Sequence, residues 1–378
     1  MESAIKKGRR GLAWTFATLF LAVIFGFGVM VFALPVHAIS ISERRKLAQL
    51  PVFTAASFFS GTYFRDLETF MLDQFPWRDH FLRLKAFNQF YVFWLKDNHN
   101  IFIEDQTAVA ISYPFAAGAD ELAAKKMSFL IDTYFQDMTV YMSVIPDKAY
   151  YLAAKNGYPA IDYETLVSNL HTGCAGAAWI DIFASLDADD YYRTDSHWRQ
   201  ECLSPAVARL LNDMGRKQAA SAFEPRMLYP FYGVYCGQSA LPLKPDTLTY
   251  LTGGLFDQVK VFRATANSQG FEVSSLYDPD MISQNDPYDV FLGGACSVVI
   301  LENPSYAADT KTLYLFSDSF GRSIAPQLLE GYSRVVLIDI RYIRASRLPE
   351  LVDYQSGNDV LFLYSIETLD TASSLNTD

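Results

Sequence analysis

Two short segments carry residue types suited to nucleophilic chemistry. In LYLFSDSFGRSIAPQLL, residues 313–329, an apolar run ends at Ser317, Asp318 and Ser319 turn the chain, and a helix opens near Gly321. A hydroxyl at that turn stands at the C-terminal edge of a sheet and beside a helix N-terminus. Backbone N–H groups at such a helix end can hold a developing oxyanion. The geometry is that of a strand–turn–helix nucleophile elbow without the G-x-S-x-G sequence. The plainer reading is that Asp318 or Ser319 only caps the helix. The second segment is YYRTDSHW, residues 191–198. Asp195 and His197 lie two residues apart and would point the same way in extended backbone. A carboxylate beside an imidazole fixes its tautomer and stabilises the imidazolium, the acid's part in a Ser-His-Asp triad. A capping aspartate next to a surface histidine is the plainer alternative.

Other candidates are weaker. Gly321 and Arg322 open the helix after Ser319, where oxyanion or substrate contacts gather. Arg341 and Tyr342 follow the next apolar run, at the strand ends where α/β sites collect side chains, although Arg341 fits a surface ion pair equally well. Trp198 offers a ring for stacking on a sugar, or for packing beneath the site. Gly293-Gly294 lets backbone approach a ligand or turns the chain, and Gly357-Asn358-Asp359 reads as a turn. The cysteines, Cys174, Cys202, Cys236 and Cys296, contain no CxxC pair and no Cys/His cluster, so no metal site is expected. Four cysteines allow three disulfide connectivities, with buried free thiols as the alternative. No organic cofactor is implied.

These side chains need a scaffold. KTLYLFS (311–317), RVVLIDI (334–340) and DVLFLYS (359–365) are apolar strand runs, with a helix-like stretch at 320–331 between the first two. MTVYMSVI (138–145) and residues 178–182 are further strands, and residues 120–136 and 203–215 read as amphipathic helices. Strand–helix–strand order at this spacing predicts a mostly parallel α/β sheet. Residues 220–300 read as loops and short strands. Upstream, Phe64, Leu67, Phe70, Met71 and Phe75, then Phe81, Leu84, Phe87, Phe90, Tyr91 and Trp94, follow three/four spacing and predict a helix pair broken at Pro76, its aromatic stripe packed on the body.

Residues 11–34 contain no charged side chain and as a helix would span about 36 Å, enough for a bilayer core of about 30 Å. Lys6, Lys7, Arg9 and Arg10 precede this run, which places the following body outside the cytoplasm. Val36-His37-Ala38 keeps a cleaved signal peptide as the alternative. The expected division is a tail and anchor at 1–38, a helical segment at 39–115 and a catalytic domain at 116–378. The 378 residues carry a formal charge of -11, and the body beyond the basic tail is more acidic still, which excludes nucleic acid as a partner. At 51% hydrophobic composition the chain is not disordered.

In order along the chain, SERRKLAQLP (42–51), DQFPWRDHF (73–81), VIPDK (144–148), YYRTDSHW, DVFLGG (289–294), FSDSFGRS and IDIRYI (338–343) resemble the blocks of the DHHW family and, more distantly, the periplasmic alginate O-acetyltransferases of the SGNH-hydrolase-like group. Ser196 stands where the family's name motif has its first histidine. His197 matches the catalytic histidine of the acetyltransferases. The order Asp/His before Ser is permuted relative to ordinary SGNH hydrolases and is similar to that of these acetyltransferases. The resemblance implies a three-layer SGNH-like domain with Asp195, His197 and Ser319 as one triad. It also implies an exported enzyme that O-acetylates a cell-surface or extracellular polysaccharide, with a membrane-bound acyltransferase supplying acetyl groups. A carbohydrate esterase, or a non-catalytic polysaccharide-binding or assembly protein on the same scaffold, is the alternative.

Overall fold

In the computed structural model of the protein, residues 2–40, 43, 45–219, 221–240, 243–304 and 311–377 are described, without the side chains of 2–10. The basic side chains before the apolar run, and Ser42 and Arg44 of the first sequence block, lie outside the described residues. The chain forms two compact units, one of residues Met1–Leu95 and a larger one of Lys96–Ser239 and Leu243–Asp378.

The smaller unit opens with helix α1 (Glu2–Ala33), whose Gly11–Ala33 portion is long and apolar enough to cross a membrane. A two-stranded ladder of β1 (Ile39–Ser40) and β2 (Arg45–Lys46) follows, then α2 (Ala55–Phe59), α3 (Thr62–Asp73) and α4 (Arg78–Phe87), which runs into a π-helical turn at Asn88–Val92. The break between α3 and α4 falls at Pro76, as the missing N–H of proline requires. The two N-terminal sequence blocks are joined to each other here. Arg45 grips Asp73 through both carboxylate oxygens at 2.9 and 2.6 Å, and Arg78 grips Glu43 at 2.7 and 3.0 Å. Asp73 also accepts the Ala48 N–H at 2.8 Å, while Gln74 donates to the carbonyls of His37 and Ala48 at 2.8 and 3.0 Å. Paired forks of this kind fix orientation as well as charge.

The larger unit starts with a hairpin, β3 (Ile101–Glu104) and β4 (Thr107–Ala110), which the reading of 39–115 as helical did not anticipate. It belongs with the larger unit because Phe102 and Val109 pack on Ala149 and Leu152, and because the Ala108 N–H donates to the Arg193 carbonyl at 2.8 Å. Then follow α5 (Ala119–Tyr134), β5 (Thr139–Ile145), α6 (Lys148–Leu152), α7 (Tyr163–Gly173), β6 (Ala178–Trp179), α8 (Ser204–Asp213), β7 (Glu224–Phe231), α9 (Val234–Ser239), β8 (Asp246–Thr252), β9 (Lys260–Ala264) and β10 (Phe271–Ser274). The C-terminal part comprises β11 (Val298–Glu302), β12 (Thr312–Ser317), α10 (Gly321–Leu328), β13 (Arg334–Ile338), β14 (Asp359–Ser365) and α11 (Ile366–Asp370).

The main sheet runs β10-β9-β11-β13-β12-β14-β5-β6. Its β13, β12, β14, β5 and β6 strands are mutually parallel, and β11, β9 and β10 extend one edge antiparallel. Side chains alternate across it. Leu313 and Leu315 face a core with Leu210 of α8 and Leu328 of α10, while Tyr314 and Phe316 face another with Met127 and Leu130 of α5. Helices cover both faces, which makes three layers and explains why these strands read as unbroken apolar runs. The 220–300 region supplies β7 to β10, of which β9 and β10 widen the sheet. None of the four cysteines is in a disulfide.

Candidate active site

The segment from Tyr191 to Trp198 is a tight turn and not extended backbone. Tyr191 and Trp198 pair antiparallel, and the Tyr192 N–H donates to the His197 carbonyl at 3.1 Å. Asp195 and His197 meet because the Asp195 Oδ1 accepts the His197 backbone N–H at 3.1 Å, a side-chain turn that aspartate favours. The same oxygen lies 2.6 Å from His197 Nδ1, and the other carboxylate oxygen accepts the Val234 N–H at 2.8 Å. Asp195 is fully buried. A carboxylate only accepts, so Nδ1 carries the ring proton and Nε2 is left as a base.

His197 Nε2 lies 2.7 Å from Ser319 Oγ. The nucleophile turn is built from the opposite side of the site. At the end of β12, the Asp318 carboxylate accepts the Phe320 N–H at 3.0 Å through one oxygen and the Ser365 N–H and hydroxyl at 2.9 and 2.6 Å through the other. It thereby ties the turn to the end of β14. Phe320 occupies the N-cap of α10 with no side-chain cap bond, so the Ser319 hydroxyl does not serve as a cap. Ser319 is partly exposed, as a reacting group must be.

The oxyanion reading of Gly321 does not fit the backbone bonding. Its N–H donates to the Asp318 carbonyl at 3.0 Å, and that of Arg322 donates to the Ser319 carbonyl at 3.2 Å. Gly321 serves packing instead, since a Cβ there would stand 2.6 Å from Ser317 Cβ and 2.8 Å from Leu337 Cδ1. Ser319's own N–H has no partner among the described residues and remains the available donor beside its hydroxyl.

The weaker candidates separate. The Arg322 guanidinium donates to Asp289 at 2.8 Å and joins the DVFLGG block to α10. Arg341 is gripped by Asp339 at 2.9 and 2.7 Å, an ion pair two residues long. Tyr342 is exposed. Trp198 is fully buried, and its Nε1–H donates to Ser323 Oγ at 2.8 Å, so it packs beneath the turn and offers no face to a sugar.

Tyr288 has a part that sequence reasoning missed. Its ring stacks on the His197 imidazole with centroids 3.8 Å apart and planes 13° apart, its hydroxyl donates to Ser323 at 2.8 Å, and Phe320 closes the other approach at 4.7 Å. Nothing in the sequence links residues 91 positions apart. Replacing Tyr288 by Phe should keep the ring and its kinetics while costing about 1 kcal/mol of stability for the lost bond. Tyr288→Leu should lower kcat roughly 10-fold by freeing the imidazole. Steady-state kinetics and thermal melts of both variants separate the two effects, and equal kinetics in the two would refute the positioning role.

The VIPDK block explains how the histidine limb is held. Tyr191 donates its hydroxyl to the Pro146 carbonyl at 2.5 Å, Asp147 caps α6, and Lys148 Nζ donates to the Tyr192 carbonyl at 2.8 Å while lying 4.8 Å from the centre of the Tyr235 ring. Burial pulls the Lys148 ammonium down to about 7, against the opposing pull of Asp195 and Asp246.

No family model matches the chain, and no curated protein matches it. Among solved structures, a DHHW family protein from Eubacterium siraeum is 18% identical, with 75% of this chain and 98% of that one covered at a TM-score of 0.60. Bacillus cereus PatB1, solved with a sulfonyl adduct, is 16% identical over 71% of this chain and 95% of its own at a TM-score of 0.55. The O-acetyltransferase domain of Pseudomonas putida AlgJ is 12% identical over 72% and 92%, with a TM-score of 0.42, too low to carry an argument. The fold is therefore the SGNH-hydrolase-like α/β architecture that the sequence blocks implied, shared with a DHHW family protein.

Proposed function

We propose that the larger unit is a serine acyltransferase that moves acetyl groups onto a polysaccharide outside the cytoplasm. The observation that carries this reading is the unbroken relay from a buried carboxylate through His197 to Ser319, with contacts of 2.6 and 2.7 Å. His197 Nε2 takes the hydroxyl proton as Ser319 Oγ attacks the carbonyl carbon of an acetyl donor, and the Ser319 N–H faces the oxyanion. Collapse breaks the bond to the donor oxygen, which leaves with the proton from His197. A sugar hydroxyl, deprotonated by the same imidazole, then attacks the acetyl carbon; the bond to Ser319 Oγ breaks, the imidazolium returns its proton to that oxygen, and the acetylated sugar leaves. Water in place of the sugar gives hydrolysis by the same steps. The resemblance of the sequence blocks to alginate O-acetyltransferases supports a polysaccharide acceptor, and a membrane-bound acyltransferase is the proposed source of acetyl groups.

The test is incubation of the purified protein with 4-nitrophenyl acetate and a soluble oligosaccharide. Acetylated oligosaccharide, with nitrophenol release quenched by a sulfonyl fluoride that labels Ser319, is the expected result. Nitrophenol release with no acetylated sugar favours the esterase, and no release with either acceptor ends the enzymatic reading.

In the same reading α1 is a retained span with the body on the outer side. Protease added to spheroplasts should digest the larger unit. A protected body overturns the topology, and an N-terminus beginning near residue 39 favours the cleaved signal.

A further inference from the structure

Helices α3 and α4, and the turn between them, touch the C-terminal part of α1 through aromatic side chains. Phe32 meets Phe70 at 5.9 Å between centroids, and further back along α1 Phe27 stacks on Phe75 at 5.1 Å and meets Trp77 and Phe81 edge-on at 6.1 and 5.9 Å. Phe27 lies six residues before the last residue of α1, or about 9 Å below it along the helix. If Gly11–Ala33 crosses a bilayer, the turn between α3 and α4 therefore lies below the level at which the span emerges.

The side chains at that depth are the wrong ones for water. Trp77 is 60% exposed and Leu72 63%, and Phe81 and Leu84 are open as well. Phe81 and Leu84 share one face of α4, with Trp77 at its N-cap, while Asp79 and Arg83 fall on other faces and His80 and Lys85 border the apolar stripe. Trp77 also holds a left-handed backbone with φ 55°, a costly conformation for a bulky side chain that persists where the surroundings demand it. The polar groups are arranged to match, because Arg78 at the start of α4 is turned away to Glu43. Pro76 at the tip of the turn carries no N–H to leave unbonded.

We propose that this face of α4, with Leu72 of α3, is seated in the lipid of the leaflet where α1 emerges, at the boundary of headgroups and acyl chains. The proposal rests on the reading of α1 as a membrane span. Depth matches chemistry, since interfacial helices bury their apolar face roughly 5–10 Å and favour Trp at that level. The smaller unit is then held by two elements, a span and an interfacial face of α4, which together fix its tilt where a lone helix would let it swivel.

The experiment uses the full chain reconstituted in vesicles of phosphatidylcholine brominated on its acyl chains, with tryptophan emission as the readout. The chain has five tryptophans, and Trp14 inside the span reports on the span itself. Wild type should lose more emission to bromolipid than Trp14→Phe does. In the Trp14→Phe background, adding Trp77→Phe should remove a further bromolipid-quenched component, and aqueous iodide should not quench that component. Equal bromolipid quenching in wild type and Trp14→Phe means that the span reading itself has failed. A quenched Trp14 with no component assignable to Trp77 overturns the seat alone. Iodide quenching of Trp77 then places the face in water, and quenching by neither agent places it against protein. Unchanged circular dichroism across the variants excludes misfolding as the cause.

Discussion

Ser319→Ala and His197→Ala should each lower kcat/KM for acetyl transfer by roughly 10⁴- to 10⁶-fold, and the double variant should be scarcely slower than either one. The non-additivity is the informative part, because a hydroxyl without its base and a base without its hydroxyl are equally unable to form the acyl-enzyme. Asp195→Asn should fall nearly as far, by roughly 10³- to 10⁴-fold. One oxygen of Asp195 accepts two bonds from His197, and the other accepts the Val234 N–H. An amide has a single oxygen, so it either faces Val234 with a second donor or drives the imidazole into the wrong tautomer. Ser317 and Ser323 are the comparisons. The Ser317 hydroxyl donates to the Leu363 carbonyl, and that of Ser323 receives Trp198 and Tyr288. Their alanine variants should lose about 1 kcal/mol of stability each and keep most of their rate. Wild-type turnover in Ser319→Ala, with intact folding, would end the serine mechanism.

How much of this was legible depends on how local the signal is. β14 matches the run 359–365 residue for residue, because a strand covered on both faces keeps apolar side chains at its interior positions, Val360 to Leu363. β11, VVILE at Val298–Glu302, straddles the end of the 220–300 stretch that reads as loops and short strands, and five residues without a flanking helix pattern do not mark it as part of the main sheet. The β3–β4 hairpin turns through Asp105 and Gln106, both with positive φ, without the Asn-Gly or Asp-Gly pair that signals such turns. At the site, residue type and order pointed to Asp195, His197 and Ser319, and the structure brings them within hydrogen-bond reach. A side-chain turn, and not extended backbone, joins the first two, a geometry that two-residue spacing does not fix. The part of Gly321, and the choice between the two readings of Trp198, lie beyond local sequence for the same reason. Which N–H already has a partner, and which side of an indole faces the core, are set by residues far away in the chain.

Gly233→Ala should disable the site without touching any reacting group. A Cβ at Gly233 would stand 2.0 Å from the Thr194 carbonyl oxygen, 2.2 Å from its carbon and 2.5 Å from the Asp195 nitrogen. All three are backbone atoms, so no side-chain rotation relieves the clash and one strand of chain must move. The segments are also tied by three bonds: Gly233 N–H to Thr194 Oγ1 at 2.9 Å, Val234 N–H to Asp195 at 2.8 Å and Tyr235 N–H to the Thr194 carbonyl at 3.0 Å. On its far side the turn is fixed by Asp246, which accepts from the Thr194 N–H and hydroxyl at 2.8 and 2.6 Å, and by Lys148. Opening the gap by even about 1 Å pulls Asp195 from the imidazole or carries the imidazole away from Ser319, a displacement that costs on the order of 10²-fold in rate. Losing buried bonds to the turn should also cost several kcal/mol of stability. The expected result is kcat/KM down at least about 100-fold with a clearly lowered Tm, while a sulfonyl fluoride labels Ser319 more slowly in proportion. Wild-type kinetics in a folded Gly233→Ala protein would mean that the close approach of these two segments does not hold the acid in place.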